Sequence, residues 1–112
     1  MFVAIYEFDV KDGMEQAFVD AWLELTKGIY EKYGSQGSRL QKDKSGVYIG
    51  YAQWPDRNTW ARDWSEDTSL EPSRNTMRSC LVGVRTVYEA EVVADYLQTD
   101  QFGRDPGVPE EN

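Results

Sequence analysis

Three aromatic residues with polar edges fall in segments that have the composition of β-strands: Tyr6, Trp54 and Tyr88. A tyrosine hydroxyl can donate, accept or transfer a proton, and an indole ring combines one N–H donor with a large apolar surface. Because side chains alternate along a strand, we expect all three on one face of a sheet. The other residues predicted on that face are small: Ala4, Gly50, Ala52 and Ala90. The pattern therefore predicts space above this face for a small molecule.

The small residues also have a purely structural explanation, since they leave room for Phe18 and Trp22 of the first helix to pack as core. Trp22 then either lines a pocket or fills it. Arg74, Asn75 and Arg78 can point polar groups over such a pocket if the second helical region crosses it, and otherwise they form a solvated helix face. A closed void beside Trp54 would favour the pocket, whereas a space filled by Phe18 and Trp22 would favour ordinary core.

Alternating strands and helices position these residues. The first strand is predicted at 2–8, and a helix follows with Asp12 as its N-cap and Gly34 at its end. Strands at 38–43 and 47–54 are joined by a turn at 44–46. The remaining elements are a short helix capped by Asp56 that carries Trp60 and Trp64, a helix capped by Ser69, and a strand at 84–97. This order predicts an α+β, ferredoxin-like split βαβ sheet with strand order four, one, three, two.

The predicted sheet has helices on one face and an apolar second face. That second face is expected to carry Val3, Ile5, Val47, Ile49, Tyr51, Val87 and Val93. Such a patch is too apolar for the surface of a monomer, so a homodimer formed through the sheet is expected. Arg39 facing Glu89 and Glu91 forms paired charges inside this interface, or alternatively keeps the sheet edges soluble.

Composition limits the partners. The chain has 20 acidic and 12 basic residues, a net charge of −8, which disfavours nucleic acid and membrane surfaces. The first residues lack a basic leader and a long apolar run, so a cytoplasmic protein is expected. Cys80 is expected to be a small core residue, and no metal-ligand spacing is present. We expect one domain at 1–97 and a tail at 98–112 that is disordered unless it clasps a neighbouring subunit.

From residue 1 to about 97 the chain resembles the antibiotic biosynthesis monooxygenase family of dimeric α+β barrels. Three pieces carry the resemblance: the opening segment 2–15 with Phe18 and Trp22, the Gly-Ser-Arg-Leu strand at 37–40, and Tyr51-Ala-Gln-Trp-Pro-Asp-Arg followed by Trp60. The resemblance implies the fold and a dimer. It also implies a pocket between the sheet and its covering helices.

That family includes cofactor-independent monooxygenases that convert polyketide phenols to quinones, and enzymes that bind and degrade haem. The haem-degrading members use a strand-one asparagine, a tryptophan and a histidine ligand. Here Trp54 matches the tryptophan, Tyr6 replaces the asparagine, and the chain has no histidine, which excludes haem ligation of that type. A tyrosinate or Cys80 ligand remains chemically possible.

The resemblance therefore implies a monooxygenase that needs no cofactor and acts on a small aromatic or polyketide-type substrate. A deprotonated phenol can reduce dioxygen by one electron and recombine with it, in a dry cavity with a proton-handling group. Tyr6 and Trp54 are then the candidate catalytic residues. The candidate substrate-binding residues are Trp22, Tyr88, Arg74 and Asn75. The alternative is a non-catalytic dimeric protein of the same fold that binds small ligands or is associated with stress.

Overall fold

Four antiparallel strands and three helices make up the part of the chain that this computed structural model describes, residues 1–64 and 66–97. In chain order the elements are β1 (Phe2–Val10), α1 (Glu15–Tyr33), β2 (Gly37–Lys42), β3 (Tyr48–Trp54), α2 (Arg57–Trp60), α3 (Glu71–Ser79) and β4 (Leu81–Glu91). The strand order is β2-β3-β1-β4. The predicted α+β, ferredoxin-like arrangement and its strand order are confirmed. None of the helices in these residues is long and apolar enough to cross a membrane.

The core lies between the sheet and the helices, on the face that carries Phe2, Ala4 and Phe8. One cluster joins Phe8, Phe18, Trp22, Tyr48 and Cys80, and a second joins Phe2, Ala4, Ala52 and Trp54. Ring centroids of Phe8 and Phe18 are 5.2 Å apart, within the range of favourable aromatic pairs. Cys80 is 1 % exposed, which confirms the predicted core role.

Two of the predicted helix caps are wrong. The N-cap position of α1 is Met14 rather than Asp12, and no side chain caps it. Likewise α3 begins after Leu70, while the hydroxyl of Ser69 accepts a hydrogen bond from Lys32 of α1 instead of capping the helix. In both places the chain enters the helix through a backbone-bonded turn, so the side-chain cap is not needed.

The predicted cap of α2 is confirmed, because the Asp56 carboxylate accepts hydrogen bonds from the backbone N–H and hydroxyl of Thr59. Helix α2 is a single turn that ends at Trp60, so Trp64 lies beyond it rather than on the same helix. Gly34 ends α1 in the left-handed conformation, at φ 83°, as the sequence predicted.

Strand β4 departs most from the expectation. It begins at Leu81 and ends at Glu91, whereas a strand at 84–97 was predicted. Its register against β1 shifts between Ile5 and Tyr6, where Ile5 faces Tyr88 and Tyr6 faces Thr86. One extra residue therefore enters β4 at this bulge. Every side chain after the bulge lies on the opposite face from the one that uninterrupted alternation predicts.

The sheet face opposite the helices is called here the open face. Its register places Val3, Ile5, Ile49, Tyr51 and Tyr88 on this side. Of the other predicted members, Val47 precedes β3, Val87 is the extra residue of the bulge, and Val93 lies beyond β4.

The predicted pairing of Arg39 with Glu89 and Glu91 is wrong. Glu89 lies on the helix-covered side and forms a salt bridge with Arg57 at 3.1 Å. The ion pairs of the open face instead join Arg85 to Glu7 and Asp9. The predicted tail at 98–112 lies outside the described residues.

Candidate active site

A cavity of about 260 Å³ lies between the sheet and the helices, and we call it the sheet–helix cavity. Its floor comes from β1 and β3, one wall from α1, and the other wall from α3 and the start of β4. The principal lining residues are Tyr6, Phe8, Gly50, Trp54, Trp22, Thr26, Ile29, Arg74, Met77, Arg78 and Val84. Pockets for drug-sized ligands usually hold about 300–1,000 Å³, so this cavity suits a ligand of one or two fused rings.

Gly50 has no side chain, so aromatic rings can pack directly against the floor of the cavity. A Cβ atom at this position would lie 2.9 Å from Cε2 of Phe8 and 3.7 Å from Cδ2 of Tyr6. The missing side chain lets the Phe8 ring cover β3. Part of the space above the small residues is therefore occupied by Phe8, and part remains as cavity.

Tyr6 reaches from the sheet floor to α2. Its hydroxyl oxygen accepts a hydrogen bond from Nε1 of Trp60 at 2.7 Å. Burial raises the pKa of the Tyr6 hydroxyl above its ordinary value of 10.0, the hydrogen bond from Trp60 lowers it, and the charge of Glu89 raises it. The net effect is upward, so Tyr6 is protonated at neutral pH. Within residues 1–64 and 66–97 no acceptor takes the hydroxyl hydrogen.

Trp54 closes β3 at the wall of the cavity and is only 3 % exposed. Its ring lies 5.8 Å from that of Trp64, which in turn stacks on Tyr33 at 4.4 Å. The indole N–H of Trp54 has no hydrogen-bond partner among the described residues. Leaving such a donor unpaired costs about 1–3 kcal/mol, and the nitrogen exposes less than 1 Å² of surface, so Trp54 meets the cavity through its ring rather than its N–H.

Helix α3 brings two cationic side chains to the cavity. Arg74 and Arg78 are four residues apart, on the same side of the helix, and both line the cavity. Asn75 is one residue further round the helix and lines only a neighbouring surface groove, which shares both arginines with the cavity and also contains Trp64, Asp67 and Glu71. Among the described residues that line the cavity, none is Asp or Glu.

The structure brings four of the six predicted site residues together, namely Tyr6, Trp54, Trp22 and Arg74. The placement of Tyr88 on the covered face is wrong, because the bulge in β4 turns it to the open face, where it is 63 % exposed. Asn75 misses the cavity because one helical residue corresponds to a rotation of about 100°.

Three polar contributions to the site were not predicted from the sequence: Ser38, Thr26 and the bond from Trp60 to Tyr6. Thr26 follows Trp22 by one helical turn and therefore faces the same space, which its spacing could have revealed. The bond from Trp60 to Tyr6 joins positions 54 residues apart, and no local pattern indicates it. Among residues 1–64 and 66–97, no three His, Cys, Asp or Glu side chains form a group that could hold a metal ion.

The polar lining of the cavity consists mainly of hydroxyl groups and cations, from Tyr6, Thr26, Ser38, Arg74 and Arg78. The remainder of the lining is largely aromatic and aliphatic. Such a cavity suits a flat ligand that carries acceptor oxygens or a negative charge. It provides a neutral hydroxyl that can give a proton, and cations that stabilise an anionic oxygen.

No protein-family profile and no curated protein sequence matches this chain. Solved structures do share its fold. An antibiotic biosynthesis monooxygenase of Bordetella bronchiseptica, assigned that activity provisionally, matches with a TM-score of 0.71 at 14 % identity, over 83 % of this chain and 97 % of the other. A monooxygenase of Streptomyces coelicolor in complex with nanaomycin D matches with a TM-score of 0.68 at 20 % identity, over 88 % and 92 %.

A third structure, the cofactor-independent oxygenase SnoaB of Streptomyces nogalater, matches with a TM-score of 0.65 at 12 % identity. The match covers 84 % of this chain and 97 % of the oxygenase. At these identities the similarity establishes architecture rather than activity. The chain therefore has the fold of the antibiotic biosynthesis monooxygenases.

Proposed function

We propose that this protein is a cofactor-independent monooxygenase of the antibiotic biosynthesis type, acting on a small phenolic aromatic in the sheet–helix cavity. The observation that carries the proposal is the composition of that cavity: an apolar, aromatic lining that includes the Trp54 ring, with a neutral Tyr6 hydroxyl and two arginines. Two structures of the same fold are described as a cofactor-independent oxygenase and as a monooxygenase bound to nanaomycin D, which supports the reaction class.

The proposed reaction needs only substrate and dioxygen. The phenol loses its proton to solvent, and its phenolate is held by the guanidinium groups of Arg74 and Arg78. The phenolate then gives one electron to dioxygen, and the phenoxyl radical and superoxide recombine to form a C–O bond. Tyr6 donates a proton to the resulting peroxide and later regains one. Loss of water leaves a quinone, so one phenol and one dioxygen give one quinone and one water.

We also propose a homodimer, with the open faces of two copies in contact. Support comes from the apolar residues of that face, among which Tyr88 is 63 % exposed in the single chain. A domain at 1–97 followed by a tail at 98–112, and a cytoplasmic location, complete the proposal. Nucleic acid and membrane partners are disfavoured by the charge of −8.

A second candidate function is that of a non-catalytic protein that binds a small ligand in the same cavity. The observation that favours it is that core side chains fill much of the space above the sheet. Trp22 is 9 % exposed and packs with Phe18 and Phe8 in the core cluster. Such a protein would bind phenols or quinones without consuming oxygen.

Oxygen uptake separates the two functions. Purified protein is incubated with a panel of mono- and dihydroxynaphthalenes, with no cofactor added, and uptake and quinone absorbance are recorded together. The oxygenase proposal expects coupled uptake and quinone formation for at least one phenol, strongly reduced by Tyr6→Phe. The matched control is Tyr30→Phe, an exposed tyrosine of α1, which should leave the rate unchanged. Binding of the phenols without oxygen uptake would instead support the second function.

A further inference from the structure

We propose that Trp60 is a positioning residue: its indole N–H occupies one side of the Tyr6 hydroxyl, so that the hydroxyl hydrogen is presented to an acceptor on the ligand in the sheet–helix cavity. This inference deepens the proposed function and rests on it. Trp60 does not line the cavity, whereas Tyr6 does. Trp60 therefore acts through Tyr6 and not by touching the ligand.

The hydrogen bond itself carries the geometric part of the argument. Nε1 of Trp60 lies 2.7 Å from the Tyr6 oxygen, and an indole nitrogen can only donate. A phenolic hydrogen prefers the plane of its ring, which gives it two positions, one on either side of the C–O bond. The position that faces an incoming N–H is excluded by the repulsion of two donor hydrogens. The hydroxyl is left with a single favoured direction, away from Trp60.

Contacts among residues of α2, β1 and β4 fix the position of the Trp60 ring. The Arg57 guanidinium lies over that ring at 5.6 Å and also bonds the Glu89 carboxylate of β4 through two nitrogens. The Trp60 ring also packs against Phe2, with centroids 5.2 Å apart. These contacts extend from β4 across α2 to Tyr6. A helix of one turn has little stability of its own, so these tertiary contacts fix the position of the indole.

The same bond also favours the chemistry expected of Tyr6. A hydroxyl that gives up its proton becomes an anion, and the Trp60 N–H stabilises that anion by a charge-assisted hydrogen bond. Burial and the charge of Glu89 oppose ionisation, and Trp60 partly offsets both. The charged groups near this pair are Arg57 and Glu89 on the α2 side, and Arg74 and Arg78 across the cavity.

The first test needs no ligand. Protein carrying ¹³Cζ-labelled tyrosine is titrated by NMR, and the Tyr6 signal is assigned from Tyr6→Phe. Trp60→Phe keeps an aromatic ring on Phe2 but removes the donor, so the pKa of Tyr6 should rise. The matched control is Trp64→Phe, which removes an indole N–H that has no described partner and should leave the pKa of Tyr6 unchanged. An unchanged or lower Tyr6 pKa in Trp60→Phe would overturn the proposal.

A second measurement at neutral pH covers the case in which the alkaline range unfolds the protein. In ¹⁵N-labelled protein the Trp60 indole proton should be shifted downfield and protected from exchange, and both properties should be lost in Tyr6→Phe. The Trp64 indole signal should keep its exchange rate. Rapid exchange of the Trp60 indole in the unmodified protein would contradict the bond and with it the proposal.

The positioning role is tested with 2-hydroxy-1,4-naphthoquinone as the probe and, where a phenol is turned over, with the pH profile of kcat. Trp60→Phe should weaken probe binding about tenfold, as expected for one lost hydrogen bond, and should add nothing in a Tyr6→Phe background. If Trp60→Phe weakened probe binding equally in the unmodified protein and in the Tyr6→Phe variant, Trp60 would have only a structural role. Absence of turnover by the unmodified protein would defeat the proposed oxygenase function, while the ligand-free NMR results would still decide the role of Trp60.

Discussion

The hydroxyl of Tyr6 is the group at which burial and hydrogen bonding act in opposite directions. Burial raises its pKa and the bond from Trp60 lowers it, with a net increase. The group is therefore neutral and able to donate throughout the physiological range. A neutral donor of this kind suits the protonation of a peroxide that the proposed reaction includes.

The raised pKa of Tyr6 predicts a pH dependence of stability. The unfolded chain has the ordinary pKa, so above about pH 10 the unfolded state loses this proton first and the folded state binds more protons. The contribution of Tyr6 to stability is complete below about pH 10 and is lost as the pH rises through the folded pKa. Tyr6→Phe should therefore lose less free energy of unfolding between about pH 9 and 11 than the unmodified protein.

Urea unfolding at a series of pH values checks this prediction, with Tyr30→Phe as the control for loss of an exposed tyrosine. The informative quantity is the difference in slope between the two variants. A Tyr6→Phe slope as steep as that of the unmodified protein would show that Tyr6 ionises in the folded state as it does in the unfolded chain.

The Trp54 ring in the wall of the cavity leads to a second prediction. Trp54→Phe should keep the fold, lose about 1–3 kcal/mol because a buried ring becomes smaller, and weaken binding of 2-hydroxy-1,4-naphthoquinone about tenfold. Trp64→Phe also removes a buried N–H without a described partner, but that ring lies outside the cavity lining. It should cost comparable stability and leave affinity unchanged. Equal affinity losses in the two variants would remove Trp54 from the binding site.

Tyr6 and Trp54 could be predicted from the sequence because strand alternation is uninterrupted from Phe2 to Tyr6 and from Tyr48 to Trp54. Tyr88 could not, since a bulge is a tertiary feature that adds one residue to β4 and has no distinctive sequence here. Trp60 was predicted as a residue of the short helix capped by Asp56. Its bond to Tyr6 depends on where α2 packs, which sequence periodicity does not determine.

Strand β3 supplies the floor of the cavity, and its glycine sets the depth of that floor. A Cβ atom at Gly50 would lie 2.9 Å from the Phe8 ring, which is closer than real Cβ contacts. Gly50→Ala should therefore force Phe8 to shift toward the cavity and lower the free energy of unfolding by about 1–3 kcal/mol. Urea unfolding measures the loss, and probe affinity reports the narrowed cavity.

Gly83→Ala is the matched control, because β4 leaves open space around that position, with no atom within 4 Å of the added carbon. Replacing a strand glycine without a clash should change stability by less than about 1 kcal/mol, in either direction. If Gly50→Ala proved as harmless as Gly83→Ala, the close packing of Phe8 on β3 would be contradicted.

The positions of the helices could be predicted from apolar spacing, whereas the residue at which each helix begins was harder to predict. Asp56 was correctly identified as a cap because it directly follows Trp54 and Pro55, where the chain has no other way to satisfy the first N–H groups. Asp12 and Ser69 have the right chemistry for caps, but backbone turns satisfy the adjacent groups. A short polar side chain at a predicted helix start therefore allows capping but does not establish it.

At the scale of the whole molecule, the open face determines the expected assembly. Ile5, Ile49 and Tyr51 are half buried there, and Tyr88 projects from β4. The face also carries the ion-paired Arg85, Glu7 and Asp9 at one end. An apolar centre with charges at one end is a composition typical of protein interfaces.

We expect a dimer mass at micromolar concentration in size-exclusion chromatography with light scattering. Tyr88→Glu places a charge on this face and should shift the mass toward the monomer, whereas Leu23→Glu, at an exposed apolar position on α1, should not. A monomer mass for the unmodified protein would contradict the proposed assembly.

The overall fold was largely predictable because hydrophobic periodicity and element order agree over residues 1–97, and this order admits few topologies. Function was less predictable, because the fold supports several activities and the cavity depends on how Phe8, Trp22 and the arginines of α3 share one space. The composition of the cavity adds what the order of elements could not supply: neutral and cationic donors around an apolar lining.

Isotope labelling with ¹⁸O₂ tests the central claim most directly. The protein is given a naphthol that supports oxygen uptake, without any added cofactor, and the quinone is analysed by mass spectrometry. A cofactor-independent monooxygenase should give one ¹⁸O atom in each quinone and consume one dioxygen for each quinone formed, and Tyr6→Phe should lose both. A quinone without ¹⁸O, or oxygen uptake that requires an added flavin, would contradict a cofactor-independent monooxygenase.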